Sequence, residues 1–352
     1  MERSERTISY LQEIIRNQKF IAQHRKHPSA FTRQRKLSFA IVMGAIIRLA
    51  KKSLQIECNL LSDKIMSDPV SKQAFSKARH NISHTGFKAL NTAFLEQAYF
   101  EDDTGTWNGF RVFGIDGSMI RLPKTDETLK LFGTWKNKTA KPENCPVLAR
   151  ISEVVELTTG IIVSAELSAV EVGERALATK QIIETSELFK SINQPSQLYV
   201  FDRGYISKEM IKMILDLKAD FLFRIPRGYN AIIEEAVTSG KSECNISIDG
   251  FPLLRLIIRD LPSGEKCALL TSVIDCRIKA DAFYRLYWLR WKGCEEGYKK
   301  QKISLQLENF AGISIESILQ EFWATVLTLN TFLLHCVDKE GAWDPENPPT
   351  RQ

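Results

Sequence analysis

Residues 110–123, FRVFGIDGSMIRLP, decide the fold. Phe110–Ile115 is mostly aromatic and β-branched, as a buried strand is, and it runs into Asp116-Gly117 before Ser118–Leu122 resumes ahead of Pro123. Downstream, Val147–Leu157 and Ile161–Ala169 flank Thr158-Thr159-Gly160 as a hairpin would. Glu174–Lys190 has helical spacing, Leu198–Phe201 is a short apolar strand ending at Asp202, Ser207–Lys218 is helical and Asp220–Ile225 is extended again. Strands, helix, strand, helix and strand in this order predict a mixed α/β sheet with helices on its faces.

Upstream, the first hundred residues read as helical. Leu37–Lys52 carries apolar positions on a helical period and closes on Lys51 and Lys52, where cations suit the helix dipole. A break comes at Ser67-Asp68-Pro69. Val70–Arg79, the connection HNISHTG and Phe87–Tyr99 then form a helix, turn, helix pattern with Gly86 in the turn. Such a pair can enter a DNA groove, although short helix pairs are commoner in all-α domains. Beyond the sheet, Pro226–Asp275 holds the strand-like NISI, LLRLII and CALLTSV between turn signals at Asp249-Gly250 and Pro262-Ser263-Gly264, an all-β insert. Ala282–Lys302 returns to helix, rich in aromatic and basic residues, and Ser314–Cys336 is apolar on more than one face, as a buried helix is. The proline-containing tail GAWDPENPPTRQ is expected to lack structure.

The chain has 352 residues, 44% hydrophobic and 26% charged, which excludes wholesale disorder and a collagen-like or disulfide-dense scaffold. Its longest apolar run, Leu37–Ile47, falls well short of the roughly 20 residues that cross a bilayer. With no secretory signal in MERSERTISYLQEI either, a cytoplasmic protein without membrane association is expected. Seven cysteines, none spaced C-x-x-C, predict reduced thiols rather than zinc or disulfides. His80 and His84 share a helix face but lack an acid at metal-site spacing. The net charge of +6 is uneven: residues 1–60 hold 12 Lys or Arg against 4 Asp or Glu. A basic N-terminal segment on a near-neutral body suits a polyanion, nucleic acid before membrane, or is simply a solvated helical face.

Asp116 and Asp202 each sit where an apolar strand ends, and ligand sites of open α/β sheets gather there. Two carboxylates from different strands can converge on Mg²⁺, which wants hard oxygen ligands and keeps several waters. Two such ions can clamp the attacking and leaving oxygens of an in-line phosphoryl transfer. Either aspartate alone is better read as a turn or cap former; a third acid on a later helix reverses that reading.

GIDGSMIRLP around Asp116, YVFDRGYIS around Asp202 and YWLRWKGCEEGYKKQK from Tyr287 to Lys302 together resemble the DDE transposases of the insertion-sequence-four family. So do LQLENFAG (Leu305–Gly312) and EFWATVLTLN (Glu321–Asn330), and the resemblance runs in consistent order over roughly residues 30–335. It implies an α/β fold: a ribonuclease-H-like mixed sheet with an all-β insertion, preceded by an α-helical N-terminal domain. The implied division is a DNA-binding domain over 1–105, the first part of the core over 106–225, the insertion over 226–276, the catalytic and C-terminal helices over 277–338 and a tail over 339–352.

The resemblance assigns Asp116, Asp202 and Glu295 as catalytic ligands of two Mg²⁺ ions, with Mn²⁺ as substitute, and gives Tyr287, Arg290 and Lys302 the phosphate of the transposon end. The family's third block reads Y-x2-R-x3-E-x6-K; here Tyr287 and Arg290 fit its first half, Glu295 and Lys302 its second, with one residue too many between. The position at the family's spacing from Arg290, where the glutamate would stand, holds Cys294. An extra helical residue rotates the remainder of the helix by about 100°, so either a π-bulge near Gly293 absorbs it, which is the favoured expectation, or Arg290 and Glu295 face different ways. Some relatives hold a flipped base on a tryptophan of the insert; here Pro226–Asp275 has none, and Tyr229 or Phe251 are the aromatic candidates. Relatives also commonly continue past the last helix, whereas this sequence stops soon after Trp343, which bears on dimerisation and end pairing.

The expected partners are double-stranded DNA with terminal inverted repeats, contacted partly by Arg33, Arg35 and Lys36, and target DNA, with a homodimer in a synaptic complex as one option. The expected activity is metal-dependent strand cleavage and strand transfer at the ends of an insertion sequence. The alternative is a catalytically inactive, transposase-derived DNA-binding protein.

Overall fold

The computed structural model describes residues 2–49, 52–65, 69–100, 105–134, 145–261 and 264–342. Eight strands lie among them: β1 (Arg111–Leu122), β2 (Val147–Glu156), β3 (Ile162–Ala169), β4 (Gln197–Phe201), β5 (Asp220–Arg224), β6 (Glu243–Ile246), β7 (Leu254–Asp260) and β8 (Lys266–Thr271). They form one sheet in the order β3-β2-β1-β4-β5-β8-β7-β6. β1 runs antiparallel to β2 and parallel to β4, and β4 parallel to β5. Every residue of β4 is buried, because helices cover both faces of this central strand.

The connection from β3 to β4 is α8 (Glu174–Ser191), and from β4 to β5 it is α9 (Lys208–Asp216). α8 covers one face of the sheet and α11 (Ala280–Ile303) the other. Consecutive residues of β2 show the alternation: Ser152 donates to Gln181 on α8 at 2.6 Å, while Glu153 accepts from Gln301 on α11 at 2.7 Å.

The N-terminal helices include α1 (Arg3–Ile14), α3 (Phe39–Ile47), α5 (Lys72–His80) and α6 (Thr85–Tyr99), which pack against the long α12 (Ile315–Glu340). α12 is anchored to the sheet by Asn330, whose side chain bonds both the N–H and the C=O of Ile162 at 2.8 Å. On its other side, the buried Arg79 of α5 pairs with the buried Glu321 at 2.9 Å, and Glu321 accepts the N–H groups of Ala311 and Gly312. One apolar core therefore runs without interruption from Leu11 through the sheet to Leu334. The helix, turn, helix pair forms as α5 and α6, but α6 buries Phe87, Leu90, Phe94, Leu95 and Tyr99 in this core. His84 Nδ1 lies 2.9 Å from Glu316 Oε1 on α12.

Three expectations are corrected. β1 does not stop at Asp116 but continues to Leu122, because β2 pairs with it over the whole stretch from Phe113↔Glu156 to Leu122↔Val147. The stretch expected to be all-β contains a helix, α10 (Ala231–Thr238), capped by Asn230 accepting from the Ile232 N–H at 2.9 Å, and its strands extend the core sheet through the β5–β8 pairing. The helix expected over Leu37–Lys52 ends as α3 at Ile47. Lys51, the Ser67-Asp68 break, Pro262-Ser263 and the tail from Trp343 lie outside the described residues. No described helix is long and apolar enough to cross a membrane, and no disulfide joins any of the seven cysteines.

Candidate active site

Parallel pairing sets Gly114 of β1 opposite Val200 of β4. Asp116 lies two residues beyond Gly114 within β1 and Asp202 two beyond Val200, just past the end of β4, so both come to the same end of the sheet, where both feel the charge of Arg290 on α11. β4 and β5 end near this point while β1 and β2 continue, which opens a cleft edge beside the two acids.

The two carboxyls are tuned in opposite directions. Burial pushes Asp116 up to about 6; Arg290 and the Gly117 N–H counter it, while the negative charges of Glu295 and Glu174 add to it. At Asp202 burial also acts upward, but the Tyr287 hydroxyl, donating at 2.7 Å, the Arg203 N–H, Arg290 and Arg224 outweigh it and hold the carboxyl below its usual value.

α11 is held close by small residues and by hydrogen bonds. A Cβ on Gly114 would lie 2.7 Å from Leu157, 2.9 Å from Cys294 Sγ and 3.1 Å from Arg290, so only glycine admits the helix at this depth. Tyr298 donates to the Asp116 carbonyl at 2.7 Å, Gln301 to Glu153, and Lys302 to Ser118 Oγ and the Met119 carbonyl at 2.8 Å.

The helix contains no π turn: it is continuous from Ala280 to Ile303, which corrects the bulge expected near Gly293. Arg290, Cys294 and Tyr298 line its buried side, and Glu295 is turned about 100° away from Cys294. Arg290 is accordingly 2% exposed and Glu295 41%, although their side chains still approach to 3.9 Å. Asp116, Asp202, Tyr287, Arg290 and Glu295 thus gather at one place, with Lys302 two turns on. Among the described residues no three His, Cys, Asp or Glu side chains close tightly enough to enclose a metal ion.

The donor set nevertheless suits a hard divalent cation. Asp116 is raised partly by neighbouring carboxylates, a charge conflict that a cation relieves, and two aspartates leave positions open for water or phosphate oxygens. The buried guanidinium of Arg290 lies over the Tyr287 ring at 5.3 Å and leaves Nε and Nη1 without a hydrogen-bond acceptor.

Sequence reasoning missed Arg224 and Glu153. Arg224 ends β5 as Phe201 ends β4, and it bonds Tyr287, a position that strand-end logic could have flagged. Glu153 is the β2 partner of Asp116 and carried no such signal, because it sits within an apolar run. Burial raises its carboxyl to about 8, Gln301 opposes this, and Asp116 adds to it. The oxygens left unpartnered here, Glu153 Oε1 and Gln301 Oε1, are those that a protonated carboxyl facing a carboxamide can satisfy together.

Stability depends on that shift. Below about pH 4.5 Glu153 is protonated in folded and unfolded chains alike. As pH rises toward 8 only the unfolded chain releases the proton, so stability falls, by on the order of 1 kcal/mol per pH unit. Glu153→Gln is expected to leave the melting temperature near wild type at pH 5 and to raise it at pH 8. Equal pH dependence in both proteins would show that Glu153 is ionised in the fold.

Arg33, Arg35 and Lys36 lie exposed between α2 (Gln18–His24) and α3. Tyr229 and Phe251 line one cavity of about 400 Å³ together with Arg175, Lys208 and Arg203, which is next in the chain to Asp202.

A mixed sheet in the order β3-β2-β1-β4-β5, with β1, β4 and β5 parallel and helices on both faces, is the arrangement of a ribonuclease-H-like core. The chain belongs to the Transposase DDE domain family, which matches residues 107–331. No curated protein matches it in sequence. Among solved structures it is similar to the piggyBac transposase synaptic complex with hairpin DNA, at 12% identity and a TM-score of 0.51 over 98% of this chain and 77% of that one, a likeness of fold. The Mos1 transposase paired-end complex with left transposon end (11% identity, 85% of this chain, 77% of that one, TM-score 0.25) and the Mos1 mariner paired end complex with Mn (11% identity, 66% and 71%, TM-score 0.23) are more distant.

Proposed function

We propose that this DDE transposase is of the insertion-sequence-four kind, acts in the cytoplasm, and catalyses Mg²⁺-dependent cleavage and strand transfer at the ends of an insertion sequence. The observation that carries the reading is the buried Arg290, with two unpartnered donors, beside the pair Asp116 and Asp202. Leaving such donors buried and unmade is costly, and a phosphate oxygen is the anion they fit.

Asp116 and Asp202 would hold two Mg²⁺ or Mn²⁺ ions with Glu295 approaching from the exposed side. The chemistry such ions would supply there is activation of the attacking oxygen and charge neutralisation at the leaving one. Tyr287 fixes the orientation of Asp202, and Arg290 binds the scissile phosphate. Lys302 keeps β1 and α11 in register and contributes charge beside the phosphate. Tyr229 or Phe251, backed by Arg175 and Arg203, would stack an unpaired base. A homodimer would pair two ends in a synaptic complex and bring them to target DNA.

Arg33, Arg35 and Lys36 are assigned to end DNA. Their combined charge-neutral replacement is expected to lower the slope of log affinity against log salt by roughly 0.9 for each phosphate that is no longer neutralised. An unchanged slope would leave them a solvated surface.

A second reading, an inactive DNA-binding derivative, is favoured by one observation: the unbroken helix puts Cys294, not Glu295, on the buried side with Arg290 and leaves Glu295 41% exposed. Metal-dependent nicking of end-bearing DNA supports the enzyme; salt-sensitive binding without nicking supports the derivative.

A further inference from the structure

Because α11 is continuous, Glu295 shares a face with residues that the catalytic assignment leaves unused. At 100° per residue, Trp288, Trp291, Lys292, Glu295 and Lys299 fall within one arc of about 100°, turned from the buried Arg290 and Cys294, with Trp291 at the edge of the arc beside the buried Tyr298. Both indoles are half-buried. Each has an ammonium over its ring rather than core atoms alone: Lys292 lies 5.7 Å from the Trp288 centroid and Lys299 5.7 Å from that of Trp291. A ring face covered by a long, flexible side chain can be uncovered by moving that side chain. The helix as a whole carries six Lys or Arg against three acids, so its outward side is complementary to a polyanion.

We infer that this face of α11 is a platform for single-stranded DNA, on which bases stack on Trp288 and Trp291 while Lys292 and Lys299 take the backbone phosphates. The inference rests on the transposase reading and deepens it, since a strand laid along this face passes Glu295 on its way to Asp116 and Asp202. Duplex DNA cannot use the platform, because its bases are already stacked on one another. Single-strand binding by aromatic platforms is tolerant of sequence and sensitive to salt, which suits a segment flanking the cut.

The test is titration of the full chain with oligothymidylate in the presence of a chelator, monitored by tryptophan fluorescence and by anisotropy of the labelled oligonucleotide. Wild type is expected to bind with quenching. Trp288→Leu with Trp291→Leu should weaken binding by at least about tenfold. Trp288→Phe with Trp291→Phe should retain most of the affinity and lose the quench, which separates stacking from misfolding. Duplex of the same length should bind wild type and the Leu pair alike. Equal single-strand affinity in wild type and the Leu pair, weakening in the Phe pair as large as in the Leu pair, or binding without quenching in wild type would each overturn the platform. Binding is read without metal and in Asp116→Asn as well, so platform and chemistry fail separately: stacking without nicking removes the transposase activity and leaves the platform, and nicking with unaltered binding in the Leu pair does the reverse.

Discussion

Asn at Asp116 or at Asp202 is expected to reduce strand cleavage at least about a thousandfold while end binding changes little. Each substitution removes one oxygen charge from the pair and leaves the backbone of β1 or the end of β4 in place. The double variant should be no worse than either single, because residues that act as one unit do not lose activity additively. Asp202→Asn should also keep its hydrogen bond from Tyr287, since an amide oxygen accepts as a carboxylate does. Nicking by either variant at a rate near wild type, measured on the same end-bearing DNA, would remove both aspartates from the chemistry.

Deleting Cys294 restores the family's spacing in sequence and is expected to destroy activity in practice. Everything beyond position 294 would turn by about 100°, and Tyr298, Gln301 and Lys302 would leave Asp116, Glu153 and Ser118. Glu295→Gln should lower cleavage by about a hundredfold or more, since its charge already reaches Asp116, and Glu296→Gln should stay within a few-fold of wild type. Higher cleavage after the deletion would mean that the native helix holds Glu295 out of the site, and would favour the inactive derivative.

Much of the core was readable because its strands are buried on both faces. Leu198–Phe201 and Asp220–Ile225 stand out as apolar runs, and helices intervene at fixed spacing, so β4, β5, α8 and α9 fall close to their expected places. What local sequence could not show came from pairing. The turn-like Asp116-Gly117 stays in β1 because β2 holds the strand on that side. Ala231–Thr238 begins with two isoleucines soon after its start, residues that also favour strands, and its helix rests on Asn230, a cap obscured among the turn signals. Asp202 was found at the end of an apolar strand and Asp116 where an apolar run gives way to a turn-like Asp-Gly, whereas Glu153 was hidden because a buried polar residue in an apolar run has no local signature. The extra residue in α11 was visible, but its accommodation was not. Gly114 and the contacts from Tyr298 to Lys302 fix the helix on β1 and leave it without a bulge, which moves the irregularity from the backbone to the direction of Glu295.

The central claim is that this site cuts DNA, and it is tested most directly on a supercoiled plasmid carrying the DNA that flanks the gene. Wild-type protein should nick it at the inverted repeats with Mg²⁺ or Mn²⁺, leave a free 3′-hydroxyl that primes extension by a polymerase, and do nothing in a chelator. Specific, salt-sensitive binding to the same repeats with no nick in either metal would contradict it.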